Sequence, residues 1–312
     1  MCERIITALK RAKHVLVVTH HNPDGDAIGA LGGIGHICSF LSVPYTLLLE
    51  THPKKLCYIT EGLNISDKFT ENFDTFVSVD CGDVYRFEKY IHYYDSAQVT
   101  INIDHHQTNN LFADINYVEA DASSASELVY NLAKACNMPT TVDFAKAIYT
   151  GVVSDTGGFM YPATKPSTHR VAAELISLNF DFTSIYHSLV HLKSEKTITL
   201  ETIAMNRLVK LNNKGFFLTY ITKQDLNSVE ADKDDISGIV SYIKNIEGCN
   251  MAVFIYEEAY NKYKVSLRSN EPYDVASIAQ SFSGGGHKRA AGATIDGSLE
   301  QVVDILKQKL IL

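Results

Sequence analysis

Paired cysteines, long apolar runs, an excess of basic residues and internal repeats are all missing from this 312-residue chain. The six cysteines, at positions 2, 38, 57, 81, 136 and 249, form no Cys-x-x-Cys pair and no disulfide framework, which places the protein in a reducing compartment, the cytoplasm. No stretch approaches the roughly 18 consecutive apolar residues of a membrane span. Residues 1–13 mix Glu3, Arg4, Lys10, Arg11 and Lys13 with apolar positions, the pattern of an amphipathic helix rather than a secretion signal. A formal charge of −8 argues against a protein that tracks along long nucleic acid, which would need a basic face, but it leaves short nucleotides open as partners. No fixed-period repeat and no low-complexity tract interrupts the chain.

What is present is an ordinary soluble composition, 46% hydrophobic and 21% charged, with enough length for two cored domains. Four segments share one layout, an apolar run read as a strand that ends in acids or histidines. Val15 to Val18 runs into His20-His21-Asn22-Pro23-Asp24-Gly25-Asp26, and Phe76 to Val79 into Asp80-Cys81-Gly82-Asp83. Val99 to Ile103 runs into Asp104-His105-His106, and Ile148 to Val153 into Ser154-Asp155-Thr156. Titratable groups gathered where strands stop are unfavourable unless something binds them. In an open parallel sheet the carboxyl ends of the strands converge on one place, so these acids would repel one another without cations. The adjacent His20 and His21 compete for one role; Asp83 reads as a turn or cap residue. His36, His52, His92, His169, His187 and His191 show no partner pattern.

Around these runs the first 184 residues read as an α/β domain with a mostly parallel sheet flanked by helices. Ala27 to Leu41 reads as a helix whose Gly29, Gly32, Gly33 and Gly35 let it lie close to the sheet, and Val84 to Tyr94 as another helix. Ser124 or Ser126 caps a helix over Glu127 to Cys136. Residues 185–213 read as one amphipathic helical connector, broken near Lys193-Ser194-Glu195. Residues 214–312 read as a smaller α+β domain with strands at Phe216 to Tyr220, Met251 to Glu257 and Tyr263 to Arg268. That domain carries Ser283-Gly284-Gly285-Gly286-His287-Lys288-Arg289-Ala290-Ala291-Gly292. Consecutive glycines can turn backbone N–H groups into a phosphate cradle beside Lys288 and Arg289; the plainer reading is a glycine-rich turn opening a helix.

Taken together, the His20–Asp26, Asp80, Asp104–His106 and Ser154–Thr156 segments, in that order, resemble the DHH phosphoesterase superfamily. Gly-Gly-Gly-His followed by Arg-Ala-Ala-Gly, with Ser266-Leu267-Arg268-Ser269, is similar to the DHHA1 domain that accompanies small DHH proteins. The resemblance implies two divalent ions, most plausibly Mn2+ with Mg2+ or Co2+ as alternatives. His20, Asp24 and Asp80 would hold one, and Asp26, Asp80, His105 and Asp155 the other, with Asp80 shared. His106 would donate to the substrate phosphate and Asp104 would orient a histidine, which makes His106, Asp80 and Asp104 the catalytic set. Arg268, Ser269, Gly284, Gly285, Gly286, His287 and Arg289 would bind substrate.

Size and two-domain layout look most like the stand-alone nanoRNases, which implies hydrolysis of short oligoribonucleotides to mononucleotides and of 3′-phosphoadenosine 5′-phosphate to AMP. A cyclic di-AMP or linear dinucleotide phosphodiesterase is the nearest alternative. A nucleotide-binding regulator with a dead metal site is another, disfavoured because every expected ligand is present. No membrane partner is expected; a homodimer is, by analogy with the family.

Overall fold

The computed structural model describes residues 1–50 and 54–311 and divides into two compact units, Met1–Leu192 and Lys193–Leu312. His52 lies outside the described residues. Among those described, no helix is long and apolar enough to cross a membrane.

The first unit begins with α1 (Cys2–Arg11), β1 (Val15–Val18), α2 (Gly25–Phe40) and β2 (Tyr45–Leu48). A 3-10 helix (Lys54–Ile59), β3 (Ile65–Ser66), β4 (Thr75–Val79), a second 3-10 segment (Val84–Tyr90), α3 (Ile91–Ser96), β5 (Val99–Asp104) and β6 (Ile115–Val118) follow. It ends with α4 (Ala125–Ala135), α5 (Val142–Asp155), α6 (Pro166–Ile176), α7 (Phe182–Tyr186) and a π-helical turn (His187–His191). The six strands pair in the order β3-β2-β1-β4-β5-β6, every pair parallel. The chain order reverses between β1 and β4, and ligands of such sheets sit outside the carboxyl ends of the strands at that switch. One face, through Val15, Val17, Val77, Val79, Ile101 and Ile103, packs under the core that α1, α2, α4, α5 and α6 complete. On the other face, Leu16, Val18, Leu48 and Phe76 meet Phe87 and Tyr90. Phe76 is fully buried there, and burying such a ring stabilises by roughly 1.5–3 kcal/mol.

Ile148 to Val153 is not a strand. It is the second half of α5, which starts where Thr141 Oγ1 accepts a hydrogen bond from Phe144 N at 3.3 Å. Phe144, Ala147, Ile148, Val152 and Val153 are buried on every side, so the segment lacks the polar stripe that would have shown a helical period. Gly29 of α2 serves this helix, since a Cβ there would lie 2.5 Å from Ala147 O of α5, while Gly35 lies against Tyr45 and Leu47 of β2. Val84 to Tyr94 is not one helix either. Asp83 Oδ1 accepts from Tyr85 N at 2.8 Å to start a 3-10 segment, which kinks at Phe87 (φ −126°, ψ 37°) before α3. β6, four residues at the sheet edge, was not anticipated.

The stretch expected to form one connector contributes to both units. Ser184 to Leu192 completes the first, and the second begins at Lys193. There Ser194 Oγ accepts from Thr197 N at 3.0 Å and starts α8 (Glu195–Asn206). The second unit continues with β7 (Val209–Asn212), β8 (Phe216–Ile221), α9 (Lys223–Ser228), a 3-10 turn (Asp234–Ile236), α10 (Ile239–Lys244) and β9 (Met251–Ala259). It closes with β10 (Lys262–Ser269), α11 (Val275–Gln280), β11 (Gly285–His287), β12 (Ala290–Asp296) and α12 (Leu299–Ile311). Its sheet runs β11-β12-β10-β9-β8-β7, antiparallel except for the β8–β9 pair. Residues such as Val253, Ile255 and Val265 pack on one face with α11 and α12, while Ala252 and Phe254 pack on the other with α8 and α10. The glycine run neither opens a helix nor curls into a loop cradle: Gly285, Gly286 and His287 pair with Gly292, Ala291 and Ala290 as an antiparallel hairpin.

Candidate metal centre

Beyond β1, Thr19 Oγ1 donates to Val79 O at 3.0 Å and ties the end of β1 to that of β4. His20 follows, with Nδ1 2.9 Å from His21 O. That carbonyl can only accept, so Nδ1 carries the proton and Nε2 is left as the ligand atom, 3.4 Å from Asp80 Oδ2. His21 points elsewhere, its Nδ1 3.0 Å from Arg86 O. Asp24 caps α2, its Oδ1 accepting from Asp26 N and Ala27 N at 2.9 and 3.1 Å. Candidate ligand atoms of His20, Asp24 and Asp80 all lie within 4.8 Å of one another.

Asp80 stands just after β4 with φ +56°, a left-handed backbone uncommon for a residue with a side chain. Strain of this kind concentrates at functional sites. Its carboxylate is divided: Oδ2 faces His20, and Oδ1 lies 3.6 Å from His105 Nε2 and 3.7 Å from His106 Nδ1, too far for hydrogen bonds. Oδ1 is therefore a buried oxygen with no hydrogen-bond partner. His105 Nε2 is also 3.4 Å from Asp155 Oδ2 and 3.9 Å from Asp26 Oδ2, and these three residues form a second compact group. A third, overlapping group joins Asp80, His105 and His106.

Asp26 is fully buried because the amino end of α4 holds it: Ala125 N donates to Oδ2 at 2.7 Å and Ser126 N to Oδ1 at 2.9 Å. Ser124, not Ser126, caps that helix, through Glu127 N at 3.0 Å. Gly151 of α5 backs the arrangement, where a Cβ would fall 1.9 Å from Ser126 Oγ and 2.7 Å from Asp26 Oδ1. The polar stretch after His106 supplies a residue the sequence reading missed. Asn109 Nδ2 donates to Asp104 Oδ2 at 2.6 Å and to Asn102 Oδ1 at 2.8 Å, and Asp104 Oδ1 meets His106 Nδ1 at 2.6 Å. Asp104 is completely buried and orients His106, itself partly open to solvent. The usable signal for Asn109 was an amide in a turn five residues past Asp104.

The electrostatics describe a site short of cations. Burial, then repulsion from Asp80 and Asp155, raises the Asp26 carboxyl well above its usual range. Burial raises Asp155 to about 6. Burial works against ionisation of Asp80 too, but the nearby imidazoles of His105 and His20 outweigh it and hold the group at about 2. His105 is lifted to about 10: burial opposes its charge, and Asp80, Asp26 and Asp155 overcome that opposition. A protonated His105 thus balances part of the negative charge that a bound cation would balance. The orphaned Asp80 Oδ1 and a donor set of imidazoles and carboxylates fit a divalent ion of the Mn2+ type. The one nearby thiol, Cys81, is turned into the opposite core and donates to Val79 O.

In the second unit the expected substrate residues cluster around β10 and the hairpin, and several already have partners. Ser269 is buried and donates to Tyr273 O at 2.7 Å. Arg289 donates through Nη1 to Tyr273 O at 2.6 Å and through Nη2 to Glu271 Oε1 at 2.9 Å. Arg268 Nη1 reaches only Leu267 O, at 3.0 Å. Gly285, Gly286 and His287 are exposed along the hairpin edge, with Gly284 half-buried before it.

Residues 14–152 match the DHH family, N-terminal domain, and residues 213–311 match the DHHA1 domain. The chain is a DHH–DHHA1 protein. Its curated relatives share the layout from end to end. A probable bifunctional oligoribonuclease and PAP phosphatase NrnA of Streptococcus mutans is 27% identical over 97% of this chain and 96% of its own. The bifunctional oligoribonuclease and PAP phosphatase NrnA of Bacillus subtilis is 28% identical over 95% and 93%. Among solved structures, an exopolyphosphatase-related protein from Bacteroides fragilis superposes with a TM-score of 0.85 at 26% identity, covering 98% of this chain and 94% of that one. The DHH match takes in every residue of the three groups except Asp155, which lies three positions past its end.

Proposed function

We propose that this DHH–DHHA1 protein is a phosphodiesterase that depends on divalent metal, hydrolyses short oligoribonucleotides to mononucleotides and converts 3′-phosphoadenosine 5′-phosphate to AMP. The observation that carries the reading is the divided carboxylate of Asp80, with one oxygen toward His20 and the other, unpartnered, toward His105. His20, Asp24 and Asp80 would hold one ion; Asp26, Asp80, His105 and Asp155 the other. Bound there, two divalent ions supply Lewis-acid polarisation of a phosphate and an acidified water. The protein's own contribution is placement. Backbone N–H groups of α4 clamp Asp26, and the His21 carbonyl sets which nitrogen of His20 is available. Asp104, steadied by Asn109, holds His106 and raises its basicity, so that it serves as a proton-bearing donor to a phosphate oxygen. Arg268, Ser269, Gly284, Gly285, Gly286, His287 and Arg289 of the DHHA1 domain would bind the rest of the substrate. The names of the full-length relatives support this choice of substrate. The absence of any disulfide among the described residues supports the cytoplasm as its location.

The test is turnover of pApA and 3′-phosphoadenosine 5′-phosphate by the purified chain with Mn2+, abolished by EDTA and restored by readdition. No AMP from either substrate with Mn2+, Mg2+ or Co2+ would sink the proposal.

A further inference from the structure

Beside the metal centre, and inside the first unit, lies a cavity of about 530 Å3. That volume is within the range of about 300–1,000 Å3 of small-ligand sites. Three segments meet around it: the end of β2 with Glu50, the turn after β1 with His20, and the 3-10 segment after β4 with Tyr85, Glu88, Lys89 and Tyr90. His20 belongs to both places, since it lines the cavity while its Nε2 sits 3.4 Å from Asp80 Oδ2. Whatever fills the cavity therefore touches the imidazole that faces the candidate metal ligands.

The lining is selective. Tyr85 holds its ring 74% exposed, and an aromatic face kept in water at the edge of a pocket is a stacking platform that accepts any base. Tyr90 is 8% exposed, and its buried hydroxyl has no hydrogen-bond partner among the described residues, an unsatisfied group that calls for an explanation. Burial and then Glu50 push that phenol up to about 12, so it remains a donor at neutral pH. Charge excludes one class of occupant. Among the described residues of the lining the one lysine or arginine, Lys89, is already paired with Glu50, and Glu88 adds a second carboxylate. A chain of phosphates would be repelled, whereas ribose hydroxyls and base amino groups find acceptors.

We propose that this cavity is a nucleoside site: it seats the base and ribose next to the phosphate held at the metal centre, with Tyr85 as the stacking face and Glu50 and Glu88 as acceptors. Nothing in the metal ligand set requires such a site, and it separates nucleotide substrates from inorganic polyphosphates. The identity of the substrate rests on the phosphodiesterase reading, but the site can be tested without turnover.

The probe is 2-aminopurine riboside 5′-monophosphate, whose fluorescence is quenched on stacking, titrated with the full chain in EDTA. Saturable quenching is expected, competed by adenosine and not by tripolyphosphate. Tyr85→Ala should weaken binding by about tenfold or more and Tyr85→Phe should restore it, both with unchanged thermal melting. Competition by tripolyphosphate but not adenosine, or equal affinity of Tyr85→Ala and the wild type, would overturn the site. Quenching that depends on Tyr85 without turnover of any dinucleotide would keep the nucleoside site and remove the hydrolase. Dinucleotide turnover with equal kcat/KM in wild type and Tyr85→Ala would do the reverse.

Discussion

The two units treat their conspicuous polar residues in opposite ways. In the first, Asp80 Oδ1 is buried without a partner, and Asp26 and Asp155 crowd around His105 with their carboxyls held above the usual range. In the second, Ser269 and Arg289 spend their donors on Tyr273 O and Glu271, inside the same unit. Unsatisfied groups indicate where a ligand must complete the structure, whereas satisfied ones bear part of the fold. Ser269 can reach a substrate only by sharing or exchanging the bond it already makes, whereas His287 and the hairpin glycines stay exposed.

The contrast yields graded expectations. Asp80→Ala removes the carboxylate that the two proposed ion sites would share, and kcat on pApA with Mn2+ should fall by about a thousandfold or more while far-UV dichroism is unchanged. Retained activity would mean that the orphaned oxygen signals nothing. Asn109→Ala loosens Asp104 and through it His106; kcat should drop about 10–100-fold with little change in KM, the pattern of a positioning residue. Arg289→Ala should raise KM for pApA about tenfold and destabilise the second unit by about 1 kcal/mol in urea unfolding, because the side chain serves two ends. Glu271→Ala separates these roles, since it removes the partner and leaves the guanidinium.

The smallest effect concerns pH and runs in the stabilising direction. Asp155 titrates near 6 in the folded chain, above its usual 3.8, so the folded state loses stability as pH rises from about 4 to 6 and carries the whole penalty at neutral pH. Asp155→Asn should therefore raise the melting temperature of the metal-free protein at pH 7.5 by about 2–4 °C, with no gain at pH 4, while weakening Mn2+ uptake. A lower melting temperature at pH 7.5 would show that the acid is not under strain.

The strand ends that carry His20, Asp80 and Asp104 were legible because β1 is an unbroken apolar run and β4 and β5 interleave apolar residues with Ser78, Thr100 and Asn102, each giving way to titratable residues where the strand ends. The same rule misled at Ile148 to Val153. A helix wedged between α2 and α4 is as uniformly apolar as a buried strand, and only the length set by the Thr141 cap distinguishes it. Asp155 still reaches the cluster, from the end of a helix. The hairpin over Gly285–His287 was hidden for the opposite reason: glycine is a poor strand former, and the pairing with Ala290–Gly292 rests on backbone bonds that leave no side-chain pattern. Asn109 and the clamp on Asp26 by α4 were invisible because they join positions through folded geometry, in the clamp's case 99 and 100 residues apart. The division near Lys193 could be read from Ser194, a helix-starting residue set in a run of amphipathic character.

The left-handed turn at Asp80 screens replacements twice over. The backbone tolerates glycine or asparagine at φ +56°, and disfavours glutamate and bulkier side chains. Charge admits glutamate and rejects both of the residues the backbone accepts. At position 80 conformation and chemistry thus both favour aspartate.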